Sequence, residues 1–220
     1  MRTLLIGDIH GHFPALRAAM QAAEIGPDDT LVFLGDFVNG GDESASVIEL
    51  LIDLQRRGNT VCLRGNHDEM FEASLQSQRA MKAFVYVGGG STLRSYPGGA
   101  SDSVPPAHRR FLADLRLAWH DEHLICVHGR IGPHASPDNP DRNEALWGGV
   151  DEAQPHQSGR TVVCGHSRQR SGQPLDLGHT ICIDTGIKEG GWLTILEAGS
   201  WRYIQADAEG RIRRAALRRP

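Results

Sequence analysis

Three carboxylate or amide side chains and three imidazoles recur in one setting in this chain, directly after a short apolar run and beside a glycine. Gly7-Asp8-Ile9-His10-Gly11 follows the first run, and Gly35-Asp36-Phe37-Val38-Asn39-Gly40-Gly41 follows the second. Arg64-Gly65-Asn66-His67-Asp68 follows the third. Later runs end in Val127-His128-Gly129, in Val163-Cys164-Gly165-His166 and in Ile183-Asp184-Thr185-Gly186. Each piece alone is weak, because Asp-x-His pairs arise on many surfaces and a strand-end histidine is commonly satisfied by a backbone carbonyl. Together they supply oxygen and nitrogen donors for a binuclear site. Imidazoles suit Mn²⁺, Fe or Zn²⁺ better than Ca²⁺, and no thiolate is needed.

Such donors work only if the chain brings them to one place. The runs at 4–6, 30–34 and 60–63 read as buried strands, and 13–24 and 44–57 read as amphipathic helices between them. A further helix runs through 70–75. Strand and helix alternate, which predicts a parallel βαβαβ unit. In an open α/β sheet the site lies outside the carboxyl ends of the strands, where these motifs fall. The middle is rich in loop signals (Gly88-Gly89-Gly90-Ser91, Tyr96-Pro97-Gly98-Gly99), with a helix from Pro105-Pro106 to Leu117. Short strands follow at 123–127, 160–164, 179–183, 192–197 and 201–205, the last two joined as a hairpin at Ala198-Gly199-Ser200.

Composition narrows the classes. The 220 residues are 40% hydrophobic and 23% charged, which excludes a coiled coil, a collagen-like repeat, a membrane span and a mainly disordered chain. There are 23 basic and 27 acidic residues. Five arginines lie in the last ten positions, so the first 210 balance 18 basic against 27 acidic residues. An acidic body is a poor partner for nucleic acid. The four cysteines (Cys62, Cys126, Cys164, Cys182) sit in apolar runs without a Cys-x-x-Cys, as buried strand thiols do. The first residues lack a signal-peptide pattern. A cytoplasmic protein without nucleic-acid or membrane partners is expected, and oligomeric state is not legible.

In these ordered motifs the sequence resembles the calcineurin-like metallophosphatase superfamily, and more closely the bacterial and phage branch of the PPP-type serine/threonine protein phosphatases. The resemblance implies an α/β fold of four layers, αββα, around a central sandwich of mixed sheets. It implies one domain over 1–220 with a variable cap at about 70–120. It implies two divalent ions, Mn²⁺ in the first place with Fe or Zn²⁺ as alternatives. Asp8 and His10 would bind the first metal, Asp36 would bridge both, and Asn66, His128 and His166 would bind the second. A bridging hydroxide would attack phosphorus in line, His67 would protonate the leaving oxygen, and Arg64 would hold a phosphate oxygen. The absence of Gly-His-x-His at 165–168 favours the PPP-type arrangement over phosphodiesterase branches.

The sequence departs from the family pattern at three places. Asn39 stands where the family carries the aspartate that pairs with its catalytic histidine, which lowers the expected pKa of His67. Gly40 stands where it carries a phosphate-binding arginine, and Gly148 follows Trp147 where another arginine is usual. Arg130 or Arg168 could return charge, against the plainer reading of solvent-facing arginines. Asp184 is expected to support the site and Asp68 to cap a helix. The arginine-rich end at 211–219 reads as a frayed, solvated terminus.

The implied activity is a phosphomonoesterase acting on a phosphoprotein, at serine or threonine with tyrosine as a variant, or on a small phosphorylated substrate. The alternatives are a symmetrical dinucleoside tetraphosphatase, with Tyr86 and Tyr96 as the only aromatic candidates for a base, and a degenerate phosphatase serving as a phosphate-dependent binding module.

Overall fold

A computed structural model describes residues 2–218. The chain forms the strands β1 (Thr3–Ile6), β2 (Thr30–Phe33), β3 (Thr60–Cys62), β4 (Ala118–His120), β5 (Leu124–Val127), β6 (Thr161–Cys164), β7 (Leu175–Asp176), β8 (Thr180–Cys182), β9 (Leu193–Glu197), β10 (Arg202–Ala206) and β11 (Ile212–Ala216). The helices are α1 (Phe13–Ala22), α2 (Ser44–Arg57), α3 (Asn66–Ser74), α4 (Gln78–Phe84), α5 (Gly90–Arg94), α6 (Pro106–Ala113) and α7 (Arg142–Trp147).

Two mixed sheets face each other. One has the order β11-β10-β9-β1-β2-β3 and the other β4-β5-β6-β8-β7. The expected parallel unit is present, with β1 beside β2 and β2 beside β3. In the second sheet β5, β6 and β8 are also parallel neighbours. Period-two alternation decides what each strand buries. Leu4, Ile6, Leu31 and Phe33 point to the helices, while Leu5, Val32 and Leu34 meet Cys126, Val163 and Ile181 of the other sheet. Ile125, Val127 and Val162 pack outward on Ala145 of α7. The layers are therefore α, β, β, α, with a thin outer layer on the second sheet. The cysteines Cys62, Cys126, Cys164 and Cys182 are buried and unbridged.

Helix α2 illustrates the local logic. Val47, Ile48, Leu51 and Ile52 form its buried stripe, Arg56 and Arg57 fall in its last turn, where cations suit the dipole, and Gly58 ends it at φ +93°. The middle segment is more helical than its glycines suggest. Residues Val85–Gly89 continue from α4 into α5, with Gly88 at φ +101° absorbing the kink. Phe71, Phe84, Tyr96, Phe111 and Leu112 of this segment share one core with α1 and α2.

The end of the chain corrects the sequence expectation. Residues 212–216 are strand β11, paired along its length with β10. Arg213 lies over the Trp192 ring at 4.0 Å, donates to Gln205 Oε1 at 2.6 Å and also reaches the Gly172 carbonyl. Arg211 pairs with Glu209 at 3.0 Å and with Asp207. An edge strand rich in arginine is a common defence against further strand pairing. Arg219 lies outside the described residues.

Candidate metal centre and active site

The loops after β1, β2, β3, β5, β6 and β8 meet at one rim of the sandwich. Donor atoms of His10, Asp36 and His67 lie within 4.8 Å of one another, and so do those of Asp8, Asp36 and His128. Asp36 belongs to both groups. His10 Nε2 stands 3.6 Å from Asp36 Oδ2 and 3.9 Å from Asp8 Oδ2, and His128 Nε2 stands 3.5 Å from Asp36 Oδ1. His128 Nε2 and His166 Nδ1 each approach Asn66 Oδ1 to 3.0 Å. All six residues expected to hold metal are thus brought together.

Backbone shape makes this convergence possible. His10, Asp36, Asn39 and His166 all have positive φ, at 47°, 51°, 69° and 59°. Such φ values are uncommon outside glycine and cluster where function requires them. The motif glycines act by close approach. A Cβ at Gly165 would run into Asp8 Oδ1, and one at Gly65 into Asp36.

Carbonyls aim the imidazoles. His10 Nδ1 meets the Val38 carbonyl at 2.9 Å, and His128 Nδ1 meets the Leu34 carbonyl at 2.9 Å. Each Nδ1–H donates outward, which turns an Nε2 lone pair into the site. Burial lowers His128 to about 4, so it is neutral at pH 7. Its Nε2 then faces Asn66 Oδ1 acceptor to acceptor, a contact that a cation between them relieves. Carboxylates tell the same story. Asp36 rises to about 7, first through burial and then through Asp184, and Asp8 rises well above the ordinary range through burial, Asp184 and Asp36. Packed, buried carboxylates held by neutral imidazoles fit a divalent cation.

Asp68 and Asp184 brace the loops. Asp68 accepts from the backbone N–H groups of Asp36, Phe37 and Gly65 at 2.8–3.0 Å. It rises to about 8, chiefly through burial. Asp184 Oδ1 accepts from Gly186 N–H at 3.0 Å.

His67 joins the site through its neighbours. Its backbone N–H donates to Asp36 Oδ1 at 2.9 Å, and Asn39 Nδ2 lies 2.8 Å from its ring Nδ1. Thr92 donates its hydroxyl to Asn39 Oδ1 at 2.8 Å, which turns the amide donor toward the ring. Lys188 Nζ lies 3.2 Å from His67 Nε2. Burial first, then the charge of Lys188, lowers His67 to about 3. Lys188, one of only two lysines in the chain, belongs to no motif of its own. The Asp184-Thr185-Gly186 motif two residues upstream was the available signal.

Arg64 does not take its expected place. Its guanidinium pairs with Glu72 and donates to the carbonyls of Leu112 and Ala113 at 2.6 and 3.1 Å. The chain continues from β3 into α3, and this arginine ties α3 to the end of α6. Replacing Arg64 by Met should cost about 2–4 kcal/mol, at or below the range for breaking a buried ion pair. Calorimetry should show the lower melting temperature while phosphate inhibition stays unchanged. Weaker inhibition at full stability would return Arg64 to the site. Arg130 pairs with Glu144 and Glu152 at 3.1 and 3.2 Å, and Arg168 with Glu189 at 3.3 Å. Tyr96 is buried against Phe71 and His108, which removes it as a base-stacking surface, whereas Tyr86 is 91% exposed on the cap.

A two-sheet α/β sandwich with buried O and N donors at one rim is built like a metal-assisted hydrolase. The family model for calcineurin-like phosphoesterases matches residues 1–191, and the chain belongs to that family. It is 28% identical over 214 residues to serine/threonine-protein phosphatase 1 of Salmonella typhimurium, covering 87% of this chain and 89% of the relative. A 70-residue stretch is 46% identical to the symmetrical bis(5'-nucleosyl)-tetraphosphatase of Salmonella paratyphi B, covering 31% of this chain and 24% of that protein. Among solved structures, a protein proposed to be a diadenosine tetraphosphatase aligns over 98% of this chain and 93% of its own, with a TM-score of 0.68 at 21% identity. The cold-active protein-tyrosine phosphatase of a Shewanella psychrophile aligns over 97% and 80%, with a TM-score of 0.63 at 16% identity. These two likenesses are of fold. The family works with divalent metal ions. Among the described residues no helix is long and apolar enough to cross a membrane.

Proposed function

We propose that this chain is a dinuclear phosphomonoesterase acting on phosphoserine or phosphothreonine in proteins, with Mn²⁺ as its preferred ion. The observation that carries the dinuclear reading is the place of Asp36 in both donor groups. In the partition that the family resemblance implies, Asp8, His10 and Asp36 would hold one ion, and Asp36, Asn66, His128 and His166 the other, although Asp8 groups here with His128 and His10 with His67. Two bound divalent ions supply charge to the phosphoryl oxygens and lower the pKa of coordinated water.

The chain's own groups do the rest. Val38 and Leu34 carbonyls hold the rings of His10 and His128, so the donors are set before substrate arrives. His67 would give a proton to the leaving oxygen, as a weak acid, with Asn39 and Thr92 fixing its ring plane. We read 1–220 as one catalytic domain, because the cap residues share the core of α1 and α2.

The phosphoprotein reading is supported by the nearly full-length likeness to a serine/threonine phosphatase and by the burial of Tyr96. A dinucleoside tetraphosphate is the second reading. It is favoured by the 46% identical stretch and by Trp147, half-exposed and edge-on to His166 at 6.2 Å. Release of phosphate from a phosphoserine peptide should be compared with cleavage of diadenosine tetraphosphate, both with Mn²⁺. A higher kcat/KM on the peptide supports the proposal. A higher value on the dinucleotide transfers it to the second reading, and no Mn²⁺-dependent turnover on either overturns both.

A further inference from the structure

The Lys188 stem passes beside Gly40. A Cβ on Gly40, whose φ is +143°, would meet the His10 carbonyl oxygen at 2.8 Å and His10 Cβ at 3.1 Å, and would stand 3.3 Å from Lys188 Cγ. Lys188 rides on the turn Ile187–Glu189, between left-handed glycines at 186 and 190. Ile187 anchors this turn in the core, and Gly191 N–H closes it onto the Gly186 carbonyl at 2.8 Å. The lysine stem is thereby directed over the second motif, and Nζ arrives beside His67.

Two features point to an anion there. Asn39 turns an amide donor toward His67 Nδ1, so neutral His67 carries its proton on Nε2, facing the ammonium at 3.2 Å. Donor faces donor, and an oxyanion that accepts from both relieves the contact. The other cations near this rim are committed, with Arg64 on Glu72, Arg130 on Glu144 and Arg168 on Glu189. Among the described residues no ion pair engages Lys188, whose Nζ stands beside His67 Nε2 at the rim of the site.

We propose that Lys188 is the phosphate-binding cation of this site, its ammonium donating to a non-bridging phosphoryl oxygen in place of the arginine missing at position 40. The proposal rests on the phosphomonoesterase reading of the same site. Lysine offers a point charge where arginine offers a planar fork, so the grip is electrostatic more than directional.

The test is calorimetric titration of inorganic phosphate into the Mn²⁺-loaded protein, for wild type, Lys188→Met and Lys188→Arg. Lys188→Met, close in shape and uncharged, should weaken phosphate binding about 10- to 100-fold, as loss of a charged hydrogen bond does. Its Mn²⁺ affinity should stay unchanged, and Lys188→Arg should retain most of the phosphate affinity. Wild-type phosphate affinity in Lys188→Met overturns the proposal. So does a parallel loss of Mn²⁺ binding, or equal loss in Lys188→Arg. Phosphate titration needs no turnover. Weakened binding in Lys188→Met, in a protein that hydrolyses neither peptide nor dinucleotide, would support the lysine's role while overturning the substrate reading.

Discussion

Asp36→Asn should abolish Mn²⁺-dependent hydrolysis and, in chelator, raise the melting temperature above wild type. The loss follows from the place of Asp36 in both donor groups. Several kcal/mol of charge stabilisation, at 1.36 kcal/mol per tenfold, corresponds to at least about 10³ in rate. The gain in stability follows from burial. Asp36 titrates at about 7 in the folded protein instead of 3.8. Its folded pKa is raised, so the folded state binds the extra proton between about pH 4 and pH 7, and stability falls as pH rises through that window. Asn removes that cost while its Oδ1 can still accept from His67 N–H, and its amide can donate to the Nε2 of His10. Calorimetry in chelator should therefore show equal melting at pH 4 and a variant several degrees more stable at pH 8. A variant less stable than wild type at pH 8, or one that keeps Mn²⁺-dependent turnover, would refute this account.

The second large effect is expected from Asn39→Asp. In the wild type both ring nitrogens of His67 face donors, so a second proton on the ring finds no acceptor. Burial and Lys188 lower the pKa further, to about 3. At pH 7 His67 is neutral and a poor acid. A carboxylate at position 39 would accept from Nδ1–H and stabilise the imidazolium, raising the pKa toward neutrality. Thr92 already donates to the second acceptor position, and aspartate tolerates the left-handed φ of 69° at this residue. Turnover of a phosphoserine peptide at pH 7 should rise by about tenfold or more, the lower part of what general acid catalysis supplies. Turnover of p-nitrophenyl phosphate should change little, because nitrophenolate leaves without a proton. The descending limb of the pH–rate profile on the peptide should move upward in pH. An unmoved profile would show that His67 is not the acid.

Much of this was readable from the chain. Strands β1, β2 and β3 begin at residues 3, 30 and 60, close to where apolar runs and flanking glycines place them. Helix α2 spans 44–57, as its stripe and Gly58 require. The misses share a cause. β4 and β7 span three and two residues, too short to show a period, and exist because a neighbouring strand offers its edge. β11 reads as a polar tail because its burial is slight; pairing with β10 and the Trp192 ring hold it.

By itself the sequence located the candidate metal donors that the fold brings together. Asp8, His10, Asp36, Asn66, His128 and His166 are short or rigid side chains at strand ends. Once parallel strands stack in register, their donors have nowhere else to go. Tertiary structure alone decided the cations. A lysine or arginine carries its charge several bonds from the backbone, and that charge rests wherever a partner is found. Arg64, beside a ligand in sequence, is taken by Glu72 and the end of α6. Lys188, 121 positions from His67, reaches it because the turn Ile187–Glu189, set between left-handed glycines, carries its stem past Gly40.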